Sequence, residues 1–89
     1  MNAIITVVGS DKVGIIARVT ALLAEHNVNI ADITQTVLSG NFVMMMMVSM
    51  DSADISIDGL RGMLAKISGA VGVEINVMAE KVFSSMNRI

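Results

Sequence analysis

The sequence predicts an α+β fold of the ferredoxin-like βαββαβ type, a four-stranded antiparallel sheet with two helices on one face. Apolar, β-branched runs alternate with segments of helical spacing in the order β-α-β-β-α-β. A glycine-containing hairpin loop at 39–41 joins the two middle strands of that order. Right-handed crossovers then place both helices on one side of the sheet. With 89 residues, we expect a single domain, 1–89, in which 80–89 form a C-terminal tail or short helix.

The first half of the chain supplies two strands of different character. Residues 3–8 are apolar on both faces, which is typical of a central strand. A helix is predicted over 13–26, and Asn27 tolerates the left-handed conformation that ends it. The second strand, 29–38, has one more polar face, as near a sheet edge or in a wet interface. Strict alternation puts Ile30, Asp32, Thr34, Thr36 and Leu38 on one face and Ala31, Ile33, Gln35 and Val37 on the other.

The second half leaves one face of the sheet without cover. The third strand, 42–50, is apolar on both faces, so it must be internal or covered by a partner. A polar link over 51–58 leads to a helix that Gly72 ends, followed by an alternating strand over 73–79. Because both helices take the same face, the other face is left aliphatic and rich in methionine. We therefore expect something to cover it.

Composition restricts the function classes. The chain is 54% hydrophobic and only 16% charged, which for a small domain favours association with another copy or another protein. The net charge of −2 gives no electrostatic reason to bind nucleic acid. The absence of cysteine fits a reducing cytoplasm. We see no leader pattern and no apolar run of about 20 residues, so we expect a soluble, cytoplasmic protein without membrane contact.

The loop between the first strand and the first helix is the strongest candidate for a binding site. The first turn of a helix has backbone N–H groups without partners inside the helix, and the helix dipole favours negative charge there. Such a turn receives a carboxylate or another small polar group, and Gly9 and Gly14 allow positive φ and close approach of a ligand. The alternative is that both glycines only permit a tight turn, with Asp11 as a helix cap.

Other functions of this topology lack their residues. The two phenylalanines give no stacking platform for RNA, and there is no Cys-x-x-Cys metal site. Gly9 and Gly14 match the opening of a phosphate loop, but isoleucines follow where lysine and serine or threonine should stand, and Lys12 cannot replace an arginine fork. His26, the single histidine, has no nucleophile partner, and the methionines over 44–47 favour packing over copper(I) binding. We therefore expect no enzyme, catalytic residue, cofactor or metal.

Two segments resemble one known family. The run 9–17, Gly-Ser-Asp-Lys-Val-Gly-Ile-Ile-Ala, is similar to the D-(K/R)-x-G-(I/L) signature that opens ACT domains. The run 27–33, Asn-Val-Asn-Ile-Ala-Asp-Ile, is similar to the start of their second strand. The resemblance continues through Gln35, Phe42 and Met44 to 86–89, as in stand-alone, single-domain ACT proteins of bacteria and archaea. It implies a regulatory module that binds a small molecule, typically an amino acid, as a homodimer or higher homo-oligomer.

The resemblance also implies where the ligand binds. In ACT domains it lies between the first β-α loop of one copy and the second strand of a neighbour. Carried over position by position, the ligand-binding residues are Asp11, Lys12, Val13, Gly14 and Ile15 on the loop, and Asn29 and Ile30 on the strand. The amides of Gly14 and Ile15 would receive a carboxylate, and Asn29 offers both a donor and an acceptor. Asp11 would take an ammonium group or only cap the helix, and Asn29 could equally just end the preceding turn.

Most ACT domains regulate another domain of the same chain. Since we find no second domain in these 89 residues, any output is expected to pass through a partner protein. The alternative function is a protein–protein interaction or dimerisation module without a ligand, docking through its apolar sheet face.

Overall fold

The computed structural model describes residues 1–10 and 12–86, and the side chains of these except 12, 13 and 86. The elements in chain order are β1 Asn2–Gly9, α1 Lys12–Glu25, β2 Asn29–Leu38, β3 Asn41–Ser49, α2 Ile57–Val71, β4 Glu74–Ala79 and α3 Glu80–Met86. The predicted α+β fold with a four-stranded antiparallel sheet is confirmed, and each predicted element lies within a few residues of its expected bounds.

The strand order is β2-β3-β1-β4, and neighbouring strands are antiparallel. β1 and β3, the two strands that are apolar on both faces, lie in the middle of the sheet. β2, with its more polar face, lies at one edge. Gly9 at the end of β1 is opposite Phe42, and Asn2 at its start is opposite Ser49.

The core lies between the sheet and the helices α1 and α2. Its fully buried side chains come from β1, β3 and both helices: Ile5, Val7, Met44, Met46, Val48, Ile15, Val19, Leu23, Leu60 and Leu64. Helix α2 begins where the Ser56 hydroxyl accepts the amide of Gly59 at 3.0 Å, and it ends at Gly72, whose φ of 70° is left-handed. Alternation along β3 buries Met44 and Met46, so half of the methionine run packs in the core.

The seventh element, α3, lies on the sheet face opposite α1 and α2, which we call the outer face. Outer-face residues alternate with the core positions and include Ile4, Met45 and Met47. Phe83 of α3 lines a cavity together with these three side chains, and Ile4 is only 3% exposed. The Asn2 amide donates to Glu80 Oε1 at 3.2 Å at the start of α3. The expectation of an uncovered face is therefore wrong in part, because α3 folds back over it.

The predicted alternation along β2 is wrong at its first positions. A β-bulge shifts the register between Ile30, which lies opposite Val48, and Asp32, which lies opposite Met47. Because the bulge adds one residue, Ile30 shares the helix-side face with Ile33 and not the outer face with Asp32. Beyond the bulge the predicted alternation holds.

Candidate functional site

The first half of the candidate site is the start of α1. The helix begins at Lys12, so the amides of Lys12, Val13 and Gly14 have no partner inside the helix, whereas the amide of Ile15 begins the intrahelical hydrogen bonding. Among the described residues of this first turn none is acidic, so none of them neutralises the positive end of the helix dipole. Three of the predicted ligand-binding residues therefore form the anion-favouring turn, while Asp11 lies outside the described residues.

The structure restricts what these residues can offer. The side chain of Ile15 is 1% exposed and belongs to the core, so it is not available to a ligand. Gly14 is the third residue of α1, where φ is negative, so the expected positive φ does not apply to it.

Gly9 has a packing role that is independent of any ligand. A Cβ at this position would lie 2.5 Å from Cγ1 of Val73 and 2.9 Å from Cδ1 of Ile15. The end of β1 can therefore approach the start of β4 and the first turn of α1 only without a side chain. This close packing favours a structural role for Gly9.

The second half of the candidate site surrounds Asn29, the exposed first residue of β2. It lines an open depression of about 570 Å³, which also has contributions from Asn27, Val28, Ser49, Asp51 and Ser52. Asn27 has a φ of 57°, the left-handed conformation expected at the end of the first helix. Amide, hydroxyl and carboxylate groups thus surround Asn29, and Ile30 follows it on the exposed strand.

Two polar pairs lie near this depression. Asp51 pairs with the α-ammonium of Met1, and this ammonium lowers the pKa of the Asp51 carboxyl below its ordinary value. His26 Nδ1 lies 2.8 Å from Asp54 Oδ1, and the Asp54 amide donates to the His26 carbonyl at 3.1 Å. These contacts tie the end of α1 to the link before α2, which gives His26 a structural position.

A single chain does not bring the two halves together. Asn29 is level with Ser49 and Asn2, whereas the loop before α1 follows Gly9, seven residues further along β1. At about 3.3 Å per residue, the two halves are separated by about 23 Å along the strands. At the loop end of the sheet lies a different depression of about 220 Å³, lined by Gln35, Thr36, Val37 and Phe42.

Sequence reasoning missed the residues that surround Asn29. Ser49, Asp51 and Ser52 were assigned only to the end of a strand and to a polar link. The hairpin loop at 39–41 could have located them, since it pairs the start of β2 with the end of β3. The bulge in β2 then moves that pairing by one residue, which the loop alone does not predict.

In residues 1–10 and 12–86, no helix is long and apolar enough to cross a membrane. Within the same ranges, no three histidine, aspartate or glutamate side chains are grouped so that they could hold a metal ion.

Comparison with known proteins gives the family. The ACT domain pattern matches residues 2–78. UPF0237 proteins of Methanopyrus kandleri and Bifidobacterium longum are 45% and 48% identical over 88 residues, covering 99% of this chain and 98% of each relative. The structure of an ACT domain protein from Streptococcus pneumoniae matches with a TM-score of 0.81 and 43% identity over 93% of both chains. A formyltetrahydrofolate deformylase from Pseudomonas syringae matches with a TM-score of 0.78 and 25% identity, over 86% of this chain but 26% of that one. The chain therefore belongs to the ACT domain family, a family of regulatory ligand-binding modules.

Proposed function

We propose that this protein is a non-catalytic regulatory module that binds an amino acid between the two copies of a homodimer. One observation carries the proposal. The anion-favouring turn at the start of α1 and the polar surroundings of Asn29 lie at opposite ends of one chain's sheet. A small ligand can contact both only if a second copy supplies one of them.

Pairing through the free edge of β2 would let a second copy supply the other half of the site. β2 runs in the same direction as β1, so antiparallel pairing of β2 with its counterpart reverses the second copy. Pairing over the whole strand about a two-fold axis sets Asn29 of the second copy opposite Leu38. Asn29 then reaches the end of the sheet at which α1 begins, and the two-fold axis creates this arrangement twice.

Apolar side chains on β2 support the same interface. All ten residues of the strand are exposed, and they include Ile30, Ile33, Val37 and Leu38. Val37 and Leu38 are 68% and 66% exposed, an unfavourable state for large apolar side chains that a second copy would relieve.

The chemistry of the two halves suits an amino acid. The amides that open α1 favour a carboxylate, and the Asn29 side chain can both donate and accept. Asp51 in the Asn29 depression already pairs with an α-ammonium, that of Met1, which is the group that an amino acid presents. Asp11 is a second candidate acceptor for that ammonium.

Calorimetry and thermal shift with the twenty common amino acids test the proposal. At least one should bind, and a ligand at 100 times its Kd stabilises the folded protein by about 2.7 kcal/mol. Gly14→Val should abolish the response, because its side chain covers the first turn of α1. Gly62→Val, at an exposed position in α2 with open space around it, is the matched control and should respond like the wild type. Silence of the wild type toward all twenty would contradict the proposal.

A ligand-free interaction module is the second candidate. The observation in its favour is that α3 leaves part of the outer face open, where Val8 and Met45 are each 39% exposed. It predicts no amino-acid response, together with a partner complex that Met45→Asp disrupts. An amino-acid response lost in Gly14→Val would favour the first candidate.

A further inference from the structure

We propose that a cavity between α3 and the outer face binds a small apolar amine, whose ammonium group pairs with Asp32. This outer cavity has a volume of about 120 Å³. Ile4, Met45, Met47 and Phe83 form its apolar walls, and Asp32 and Thr34 of β2 border it. It is separate from the amino-acid site proposed above, and it contains neither Asn29 nor the start of α1.

The register of the sheet explains why these side chains meet. Met47 lies opposite Ile4 on one side and opposite Asp32 on the other, so the three form one row across β1, β3 and β2. Phe83 lines the cavity from α3. Thioethers adapt to the shape of a ligand, and an aromatic face attracts a cation. The walls thus suit an apolar body that carries a positive charge.

Asp32 gives the cavity a negative charge. Its Oδ1 accepts the amide of Ile33 at 2.8 Å, which orients the carboxylate, and a carboxylate retains acceptor capacity beyond one hydrogen bond. Among the described residues that border the cavity, it is the one charged side chain. Glu80, at the start of α3, adds a second negative charge on the same face and accepts the Asn2 amide. An anion would meet the Asp32 carboxylate, whereas an amine would gain a charge-assisted hydrogen bond.

The volume sets the size of the ligand. An apolar cavity of about 150 Å³ is large enough to bind benzene. The outer cavity is of the same order, so it accepts one ring or a branched alkyl group, with the ammonium reaching toward β2. Benzylamine is therefore a suitable probe. Benzyl alcohol and benzoate are its neutral and anionic counterparts of similar size.

Methionine methyl NMR measures binding to the folded protein directly. Titration with benzylamine at neutral pH should shift the methyl signals of Met45 and Met47 in a saturable way, while Met63 on α2 stays unchanged. Benzyl alcohol should bind about tenfold more weakly, and benzoate more weakly still. No saturable shift with benzylamine, or equal affinities for all three probes, would overturn the proposal.

Two matched variants test the charge. Asp32→Asn should weaken benzylamine about tenfold and leave benzyl alcohol unchanged, because only the amine uses the charge. Glu25→Gln removes the same charge from the exposed end of α1 and should change neither. Equal effects of the two variants on benzylamine would contradict a local role for Asp32.

Three further variants test the cavity wall formed by Phe83 and the independence of the two sites. Phe83→Ala should weaken benzylamine and benzyl alcohol alike, and Phe83→Leu should restore much of the loss because it refills the wall. Gly14→Val should leave benzylamine binding unchanged. A loss of benzylamine binding in Gly14→Val would overturn the claim that the outer cavity is a separate site.

Discussion

The two edge strands of the sheet, β4 and β2, differ in length and in how far side chains protect their exposed backbone groups. β4 has six residues, and the guanidinium of Arg61 donates to its Val77 carbonyl from Nε at 3.2 Å and from Nη2 at 3.0 Å. β2 has ten residues, all exposed, and four of them are large and apolar. On β2, the carboxylate of Asp32 accepts a hydrogen bond from the backbone amide of Ile33. β4 is protected against a further strand, and β2 is open to one.

Because the two edges differ, such a sheet can associate without polymerising. Unpaired edge strands pair with other chains unless they are short, charged or covered. With two open edges, copies of the chain could add on both sides without limit. With only β2 open, pairing about a two-fold axis uses up the available edge and stops at a dimer. The fold therefore favours a closed assembly.

The largest effect is expected from placing charge on the open edge. Ile33→Lys combined with Val37→Lys should raise the Kd of the dimer about 100-fold or more, because each change counts twice across the axis and like charges approach each other. Both side chains are exposed in the single chain, so the fold should persist. Sedimentation equilibrium measures the Kd.

Val82→Lys is the matched control for this experiment. Val82 is an exposed apolar residue on α3, away from β2, so the dimer should be retained. A wild type that is monomeric at all concentrations tested, or a double variant that dimerises normally, would contradict pairing through β2.

A smaller effect is expected from removing the protection of β4. Arg61→Met keeps much of the apolar stem but leaves the Val77 carbonyl without its two donors, which should lower the free energy of unfolding by about 1–3 kcal/mol. Species larger than a dimer should also form. Denaturant unfolding and light scattering measure the two effects.

Asp58→Asn separates the two contacts of Arg61. The Asp58 carboxylate lies 2.6 Å from Nη1 of Arg61 in an exposed pair, so its loss should cost less than about 1 kcal/mol and should not cause association. If Asp58→Asn associates as strongly as Arg61→Met, the bond to Val77 is not what protects β4.

Much of the fold was predictable because local signals agreed with each other. The double-faced apolar runs identified β1 and β3 as central, and Gly72 ended α2 as expected. The position of α3 was not predictable, because Phe83 and Val82 show only that the tail is amphipathic and not which face it covers. The bulge at Ile30 was also missed, since no glycine or other local signal marks it.

The candidate site was predictable only as two separate segments. The loop and strand motifs identified the first turn of α1 and Asn29, but a linear sequence does not say that about 23 Å separates them within one chain. The proposed dimer depends on this separation. The outer cavity could not be predicted at all, because it requires α3, β1, β2 and β3 together.

The smallest effect concerns the pairing of Met1 with Asp51, at the end of the sheet where β2 begins. The Met1 ammonium lowers the Asp51 pKa in the folded protein, so the ionised carboxylate favours folding. This contribution is fully present above the ordinary aspartate pKa of about 3.9 and is lost as the pH falls through the lower folded value. The thermal unfolding temperature of the wild type should therefore fall more between about pH 5 and pH 2 than that of Asp51→Asn. Because Asp51 is fully exposed, the difference should be slight and should shrink further in high salt. Identical pH profiles at low salt would show that the pair contributes nothing to stability and that Asp51 is available to a ligand ammonium without cost.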